Sequence, residues 1–368
     1  MTNRFGTSRF GAALSTLRLG AALVARPRAG RPVKVTAILT ERCHLRCQFC
    51  RLWESPAAGA PIDDWLAFFR ANSFLRWVNL SGGELFAIGE ARLDDLLRGI
   101  VTALPRLELL DFPTAGQRPD EVESAARALL STRLPRLAVT VSLDGGEAIH
   151  DRLRGVQGAF ERALDCFTRL RRLRSSRLVV VAGCTLTDLA REQAESLASE
   201  LARRLPDFDR RELHFNLAHH SSHYYRNEAF AGLPGEAALR VLERSERPRG
   251  ALGWIERQYA RLARRALTEG FPPTGCEALV RTVFVGPDLT VHPCTIWSRP
   301  LGNLRDFGFS LERLLDRPDV ATARAAIEAR QCPGCFSPCE AMPAMVAHPL
   351  RTMVARSAGI VRTAGASA

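Results

Sequence analysis

The stretch Cys43-His-Leu-Arg-Cys47-Gln-Phe-Cys50 places three cysteines on one short loop, with three and then two residues between them. It follows directly on the run Val33 to Thr40, which reads as a strand. Three thiolates this close make a metal site. A four-iron cluster held by three cysteines keeps one iron without a protein ligand, open to a second molecule. Zinc is the competing occupant, with His44 or a distant cysteine as fourth ligand, because structural zinc takes a closed four-coordinate N/S shell. The spacing alone admits both.

One strand further on, Trp77-Val-Asn-Leu80 runs into Ser81-Gly82-Gly83-Glu84. Glycines without Cβ atoms let the backbone approach a ligand closely, and Glu84 can accept protons from an ammonium group. Together the two motifs, CxxxCxΦC with Phe49 at the aromatic position and a Gly-Gly-Glu turn after the second strand, resemble the radical SAM superfamily. The resemblance implies a 4Fe-4S cluster on Cys43, Cys47 and Cys50 whose open iron chelates S-adenosylmethionine (SAM), with Phe49, Gly82, Gly83 and Glu84 around that cofactor. It implies reductive cleavage of SAM to a 5′-deoxyadenosyl radical, fed by a low-potential electron donor of the flavodoxin or ferredoxin type.

From Val33 strand and helix alternate six times. Strands are expected at Val33 to Thr40, Trp77 to Ser81, Leu107 to Phe112, Leu137 to Leu143, Leu178 to Thr185 and Glu212 to Leu217, with helical patterns such as Ala91 to Leu104 and Ala159 to Leu173 between them. Apolar strands joined by helices are parallel strands with crossovers. The expected fold is α/β, a partial (β/α)6 TIM-like barrel over residues 31–270, with its chemistry at the carboxyl ends of the strands.

Strand four ends in Val141-Ser142-Leu-Asp144-Gly145-Gly146, followed by His150-Asp151-Arg-Leu-Arg154-Gly155. This segment resembles the SPASM and twitch branch of the superfamily, which implies that Ser142 and Arg154 contact SAM, the guanidinium pairing with its carboxylate as a fork. The alternative is a local ion pair between Asp151 and Arg154. Thr114-Ala115-Gly116 stands where that branch commonly has Thr-Asn-Gly. At the last strand His214 and Asn216 share a face and are the candidate substrate contacts.

The last hundred residues hold Cys276, then Cys294, then Cys332-Pro-Gly-Cys335-Phe-Ser-Pro-Cys339. A hairpin-like segment, Val283 to Cys294, and the turn Gly302-Asn303 complete a resemblance to a SPASM/twitch-like auxiliary-cluster domain over residues 271–345, with Leu289 where the family usually has glycine. Five cysteines cannot complete two four-ligand clusters, so one auxiliary 4Fe-4S cluster is expected, drawing on Cys276, Cys294, Cys332, Cys335 and Cys339. Zinc is again the alternative, since CxxC pairs also build zinc ribbons.

The formal net charge is +12, yet Lys34 is the only lysine. The arginines are dispersed through helical segments, which reads as solvated helix faces, and no nucleic-acid-binding motif is present. Eight of the ten cysteines fall into ligand-like groups, and only Cys166 and Cys184 stand alone, as small buried residues would. That usage suits a reducing, cytoplasmic compartment. The segment Phe10 to Val24 is too short to span a bilayer and carries Arg18. Residues 1–30 read as a basic amphipathic segment that either caps the domain floor or lies on a membrane surface, and residues 346–368 as a basic tail. The two cationic ends suggest a bulky apolar or lipid-like substrate at the inner membrane face. The alternatives are a maturase of ribosomal peptides, disfavoured by the thirty-residue segment before strand one, too short to bury a leader-binding core, and a non-catalytic iron–sulfur or zinc scaffold.

Overall fold

The computed structural model describes residues 9–54 and 59–355. Among the described residues nine strands form one sheet: β1 (Lys34–Ile38), β2 (Trp77–Ser81), β3 (Leu109–Thr114), β4 (Leu137–Ser142), β5 (Leu178–Leu186), β6 (Leu213–Leu217), β7 (Thr282–Val285), β8 (Thr290–His292) and β9 (Gly302–Asn303). Their order is β6-β5-β4-β3-β2-β1-β7-β8-β9, parallel from β6 through β7 and antiparallel beyond. Helix α1 (Arg9–Val24) precedes the sheet. Between the strands come α2 (Ile62–Ala71), α3 (Glu90–Ala103), α4 (Pro119–Leu130), α5 (Glu147–Arg154), α6 (Ala159–Arg172) and α7 (Ala190–Arg204). After β6 follow α8 (Glu236–Arg244), α9 (Gly250–Glu269), α10 (Leu311–Leu315), α11 (Pro318–Glu328), α12 (Pro338–Ala347) and α13 (Pro349–Val354).

Side chains alternate across each strand, and the alternation sorts them chemically. Val78 and Leu80 of β2, Leu110 and Phe112 of β3, and Val139 and Val141 of β4 are buried in the core with Phe68 and Phe69 of α2 and Leu96 of α3. The opposite face carries Trp77, Asn79, Ser81, Asp111, Thr140, Ser142, Thr185, His214 and Asn216, all around one cavity of about 350 Å³. Residues of all six strands β1 to β6 line that cavity, so the strands curve round it as a partial barrel with a polar lumen.

The floor is capped by α1. Ser15 Oγ donates to the Glu108 carbonyl just before β3, and Arg136, just before β4, donates to the Ala12 carbonyl and Thr16 Oγ1. Arg281, just before β7, donates from Nε to the Leu23 carbonyl at 2.6 Å. The side of the lumen between β1 and β6 is filled from the carboxyl-terminal part. Lys34 Nζ donates to the Cys339 carbonyl at 2.7 Å, Thr282 bonds Glu340, and Tyr259 of α9 donates to the Phe336 carbonyl at 2.9 Å. Among the described residues no helix is long and apolar enough to cross a membrane.

Candidate active site

The loop of Cys43, Cys47 and Cys50 is held from three sides. From the β2 turn, Gly83 N donates to Thr40 O and Glu84 N to Arg42 O, both at 2.8 Å. A Cβ on Gly82 would stand 2.4 Å from Thr40 O, and one on Gly83 2.4 Å from Arg42 O. The two glycines are therefore demanded by the chain's own crossing loop, a nearer cause than ligand approach. From α5, the Arg154 and Leu153 carbonyls accept from Arg46 N and Gln48 N, both at 2.9 Å. Gly155 ends that helix at φ +67°, and a Cβ there would meet Arg46 O at 2.4 Å. From the loop after β6, the Tyr225 carbonyl accepts from Arg51 N, and Asn227 Nδ2 donates to Phe49 O at 2.9 Å.

All three thiols line the central cavity, at the carboxyl end of β1. Burial pushes Cys43 up to about 11 and Cys50 up to about 12, and raises Cys47 against the opposing pull of Arg154, whose Nη1 lies 3.7 Å from Cys47 Sγ. Desolvated thiols become ligands only when a cation supplies the missing positive charge, which bound iron would do. His44 is exposed and does not line the cavity. Among the described residues no three His, Cys, Asp or Glu side chains converge on a single-ion site. His44, one of the candidate fourth zinc ligands, thus stands apart from the three thiols.

Glu84 is buried, and its carboxylate accepts from Ala115 N at 2.6 Å, Thr114 Oγ1 at 2.9 Å and Phe86 N at 3.4 Å. Loss of water raises its pKa, and these donors oppose the rise. The Thr114-Ala115-Gly116 turn thus orients Glu84 through a hydroxyl and a backbone amide, neither of which needs the asparagine side chain. The Arg154 guanidinium is also buried: Nε donates to Asp144 Oδ2 at 2.6 Å, and the group lies over the Phe49 ring at 5.2 Å. Asp144, not Asp151, is its ion-pair partner. Asp151 instead accepts from Gly158 N and Phe160 N and so starts α6.

Ser142, His214 and Asn216 face the same cavity as Phe49, Gly82, Gly83, Glu84 and Arg154. His214 Nδ1 is 2.9 Å from Glu256 Oε1 of α9, a partner the sequence reading missed. It also missed the lumen floor, where Lys34 lies 4.5 Å over the Trp77 ring and the Asp111 carboxylate takes the Trp77 Nε1 and Asn79 Nδ2 donors. Ser81 Oγ and Tyr224 OH, 2.8 Å apart, tie the β2 end to the loop after β6. The signal was the period-two placement of polar residues within the strands.

The carboxyl-terminal cysteines divide between two cavities. Cys276, Cys294, Cys332 and Cys335 line a second cavity of about 670 Å³, whereas Cys339 lines the central one. Burial raises Cys276 and Cys294 well above the ordinary thiol range and Cys335 to about 12. Trp297 N points at Cys294 Sγ from 3.3 Å, a contact that favours thiolate. Four uncrosslinked thiols lining one cavity match a metal cluster in chemistry and number. Cys166 and Cys184 are fully buried away from both cavities.

No protein-family profile matches the chain. The sporulation killing factor maturation protein SkfB of Bacillus subtilis (strain 168) is 23% identical over 185 residues, which is 46% of this chain and 40% of that protein. The match therefore spans well under half of that relative's length. Among solved structures, native anSMEcpe with bound AdoMet superposes with a TM-score of 0.56 at 14% identity, over 88% of this chain and 99% of that one. SuiB of Streptococcus suis bound to S-adenosylmethionine superposes with a TM-score of 0.55 at 15% identity, over 80% and 68%. These likenesses show the fold, a partial barrel of parallel strands shared with these AdoMet-bound structures, and on it the CxxxCxxC loop and the Gly-Gly-Glu turn meet in one cavity.

Proposed function

We propose that this protein is a radical SAM enzyme that acts on a peptide. The observation that carries the reading is the convergence of the three motif thiols, Glu84, Arg154 and the His214–Asn216 face on a single polar lumen. Cys43, Cys47 and Cys50 would hold the 4Fe-4S cluster, Glu84 would accept from the SAM ammonium, and the Arg154 Nη groups, beyond the Nε held by Asp144, would take its carboxylate. Such a cluster, when bound with SAM, would supply one-electron reductive cleavage of SAM and so the means to take hydrogen from a substrate carbon. The chain's own contribution is to orient and shield: α1 closes the floor and α12 the side, keeping bulk water from the lumen.

Residues 271–345 are read as the SPASM/twitch-like unit, with the auxiliary cluster on Cys276, Cys294, Cys332 and Cys335 and Cys339 left to the central cavity. A flavodoxin- or ferredoxin-type donor would feed the electron. The apolar, lipid-like substrate expected from the cationic chain ends gives way to a peptide. SkfB is a maturation protein, and anSMEcpe, seen with a bound Cp18Cys peptide, superposes with a TM-score of 0.54. The inward positions of the strands, polar on every strand from β1 to β6, also suit a peptide better than an acyl chain. Membrane contact is a separate proposal, supported by exposed Leu17 and Val24 on α1 and exposed Leu350, Met353 and Val354 on α13.

The test is anaerobic reconstitution followed by incubation with SAM and dithionite. Formation of 5′-deoxyadenosine, absent in Cys43→Ala, is expected, and its absence from the intact protein with a full cluster complement would sink the reading.

A further inference from the structure

One wall of the central cavity carries three buried polar atoms without a hydrogen-bond partner: Asn216 Oδ1 at the end of β6, His219 Nε2 in the loop after it, and Thr295 Oγ1 just beyond Cys294. Their backbone is firmly held. Ser221 Oγ donates to the Thr295 carbonyl at 2.6 Å, Asn227 Nδ2 to the His219 carbonyl at 2.9 Å, and His223 Nε2 lies 3.1 Å from the Cys294 carbonyl. Side-chain tips on a pinned wall are thus left unsatisfied, on a Thr295 that is 2% exposed and on half-buried Asn216 and His219. Buried polar atoms in folded proteins are nearly always hydrogen-bonded. Three orphans on residues that line one cavity call for a ligand that brings the partners.

The chemistry of the three atoms specifies that ligand. Burial keeps the His219 ring neutral, so one ring nitrogen carries a lone pair, which Nε2, the nitrogen left without a partner, can present. Asn216 Oδ1 is a second acceptor, and the Thr295 hydroxyl can donate. We propose that this wall is the subsite for a carboxamide side chain, a glutamine or asparagine of the peptide substrate, whose two N–H groups meet Asn216 and His219 and whose carbonyl accepts from Thr295. The assignment rests on the peptide reading above. A carboxylate lacks both N–H groups, an ammonium offers the Thr295 hydroxyl no acceptor, and an aliphatic side chain leaves all three atoms unpaired. A site built to hydrogen-bond a group discriminates strongly against analogues without it.

The test is calorimetric titration of the reconstituted full chain, with SAM present, by blocked peptides Ac-Ala-Ala-Xaa-Ala-Ala-NHMe in which Xaa is Gln, Glu, Lys or Leu. The glutamine peptide is expected to bind about tenfold or more tightly than the others. Thr295→Val, nearly isosteric, and His219→Phe should each shrink that preference to about threefold or less while leaving the leucine peptide's affinity as it was. Equal binding of all four peptides would overturn the subsite and leave the peptide reading standing. A preference for the lysine peptide would replace the carboxamide by a cation. No saturable binding of any of them would overturn the peptide reading, and the subsite with it. A glutamine preference that survives both substitutions would place the selectivity elsewhere.

Discussion

At Glu84 a carboxylate already takes three donors from its own chain. A carboxylate has about four lone-pair sites, so one remains for a ligand's ammonium. Glu84→Ala is expected to keep the iron and to lose about tenfold or more in SAM affinity, the size of a charge-assisted hydrogen bond. An unchanged dissociation constant, measured anaerobically by calorimetry, would take Glu84 off the SAM site. His150 supports a pH prediction. Its ring is fully buried, and desolvation first, with Arg154 adding, pushes it down to about 4, while Nδ1 accepts from Asp144 N at 3.0 Å. In the unfolded chain the same ring titrates near 6.5, so between these values the unfolded state binds the extra proton. The contribution of His150 to stability is therefore complete above about pH 6.5 and falls by roughly 3 kcal/mol as pH drops toward 4. Against His150→Gln, which keeps an acceptor and cannot titrate, the unfolding free-energy gap should narrow over that window. A gap independent of pH would show that the ring is not held neutral.

The cysteine loop works as an element only because two glycines let the β2 turn cross it. Gly83→Ala would put a methyl group 2.4 Å from Arg42 O and 2.6 Å from Glu41 O, both backbone atoms that cannot yield without moving the loop. Iron uptake at the first site is expected to fall by half or more, read as iron per chain after reconstitution; full loading would mean that the loop relaxes freely. The hairpin of β7 and β8 makes the opposite point. Leu289 sits at φ +71° and is fully buried, at the position where the resembled family usually has glycine. Left-handed backbone costs leucine about 1–2 kcal/mol, and emptying a buried leucine site costs about 2–5 kcal/mol. Leu289→Gly should therefore be net destabilising, seen as a lower denaturant midpoint at unchanged slope, and a higher midpoint would show strain to be the larger effect. Strands β1 to β6 were legible in the sequence because each is an apolar run between turn signals. The lumen was not, because Lys34, Asn79, Asp111 and Thr140 read as interruptions of those runs and only the closed arrangement brings them together. Glu256 and Thr295 escaped notice for a plainer reason: their partners lie tens of residues away, and no local spacing encodes that.

On the scale of the whole molecule the two thiol-lined cavities are joined by one short segment, with Cys335 in one and Cys339 in the other. About eight irons per chain are expected after reconstitution, two four-iron clusters. Cys43, Cys47 and Cys50 changed together to alanine should leave about four. Cys339→Ser should keep all eight, and loss of half in that variant would make Cys339 an auxiliary ligand. The last prediction concerns the surface. Helix α1 packs on α12, and α12 leads directly into α13, so exposed Leu17 and Val24 and exposed Leu350, Met353 and Val354 flank one helix. Arg18, Arg26, Arg28 and Arg351 stand exposed on the same segments, and the rest of the expected tail, from residue 356 onward, lies outside the described residues. Arginines near an anionic leaflet contribute about 1 kcal/mol each, enough together with a few apolar contacts for loose, reversible attachment. The protein should co-sediment with anionic vesicles at low salt, but not with neutral ones, and release as salt rises. Changing Leu17, Leu350, Met353 and Val354 to serine touches only exposed side chains, so it should abolish binding and leave the fold intact. If the intact chain stays in the supernatant with anionic vesicles at low salt, the exposed residues serve something other than a lipid surface.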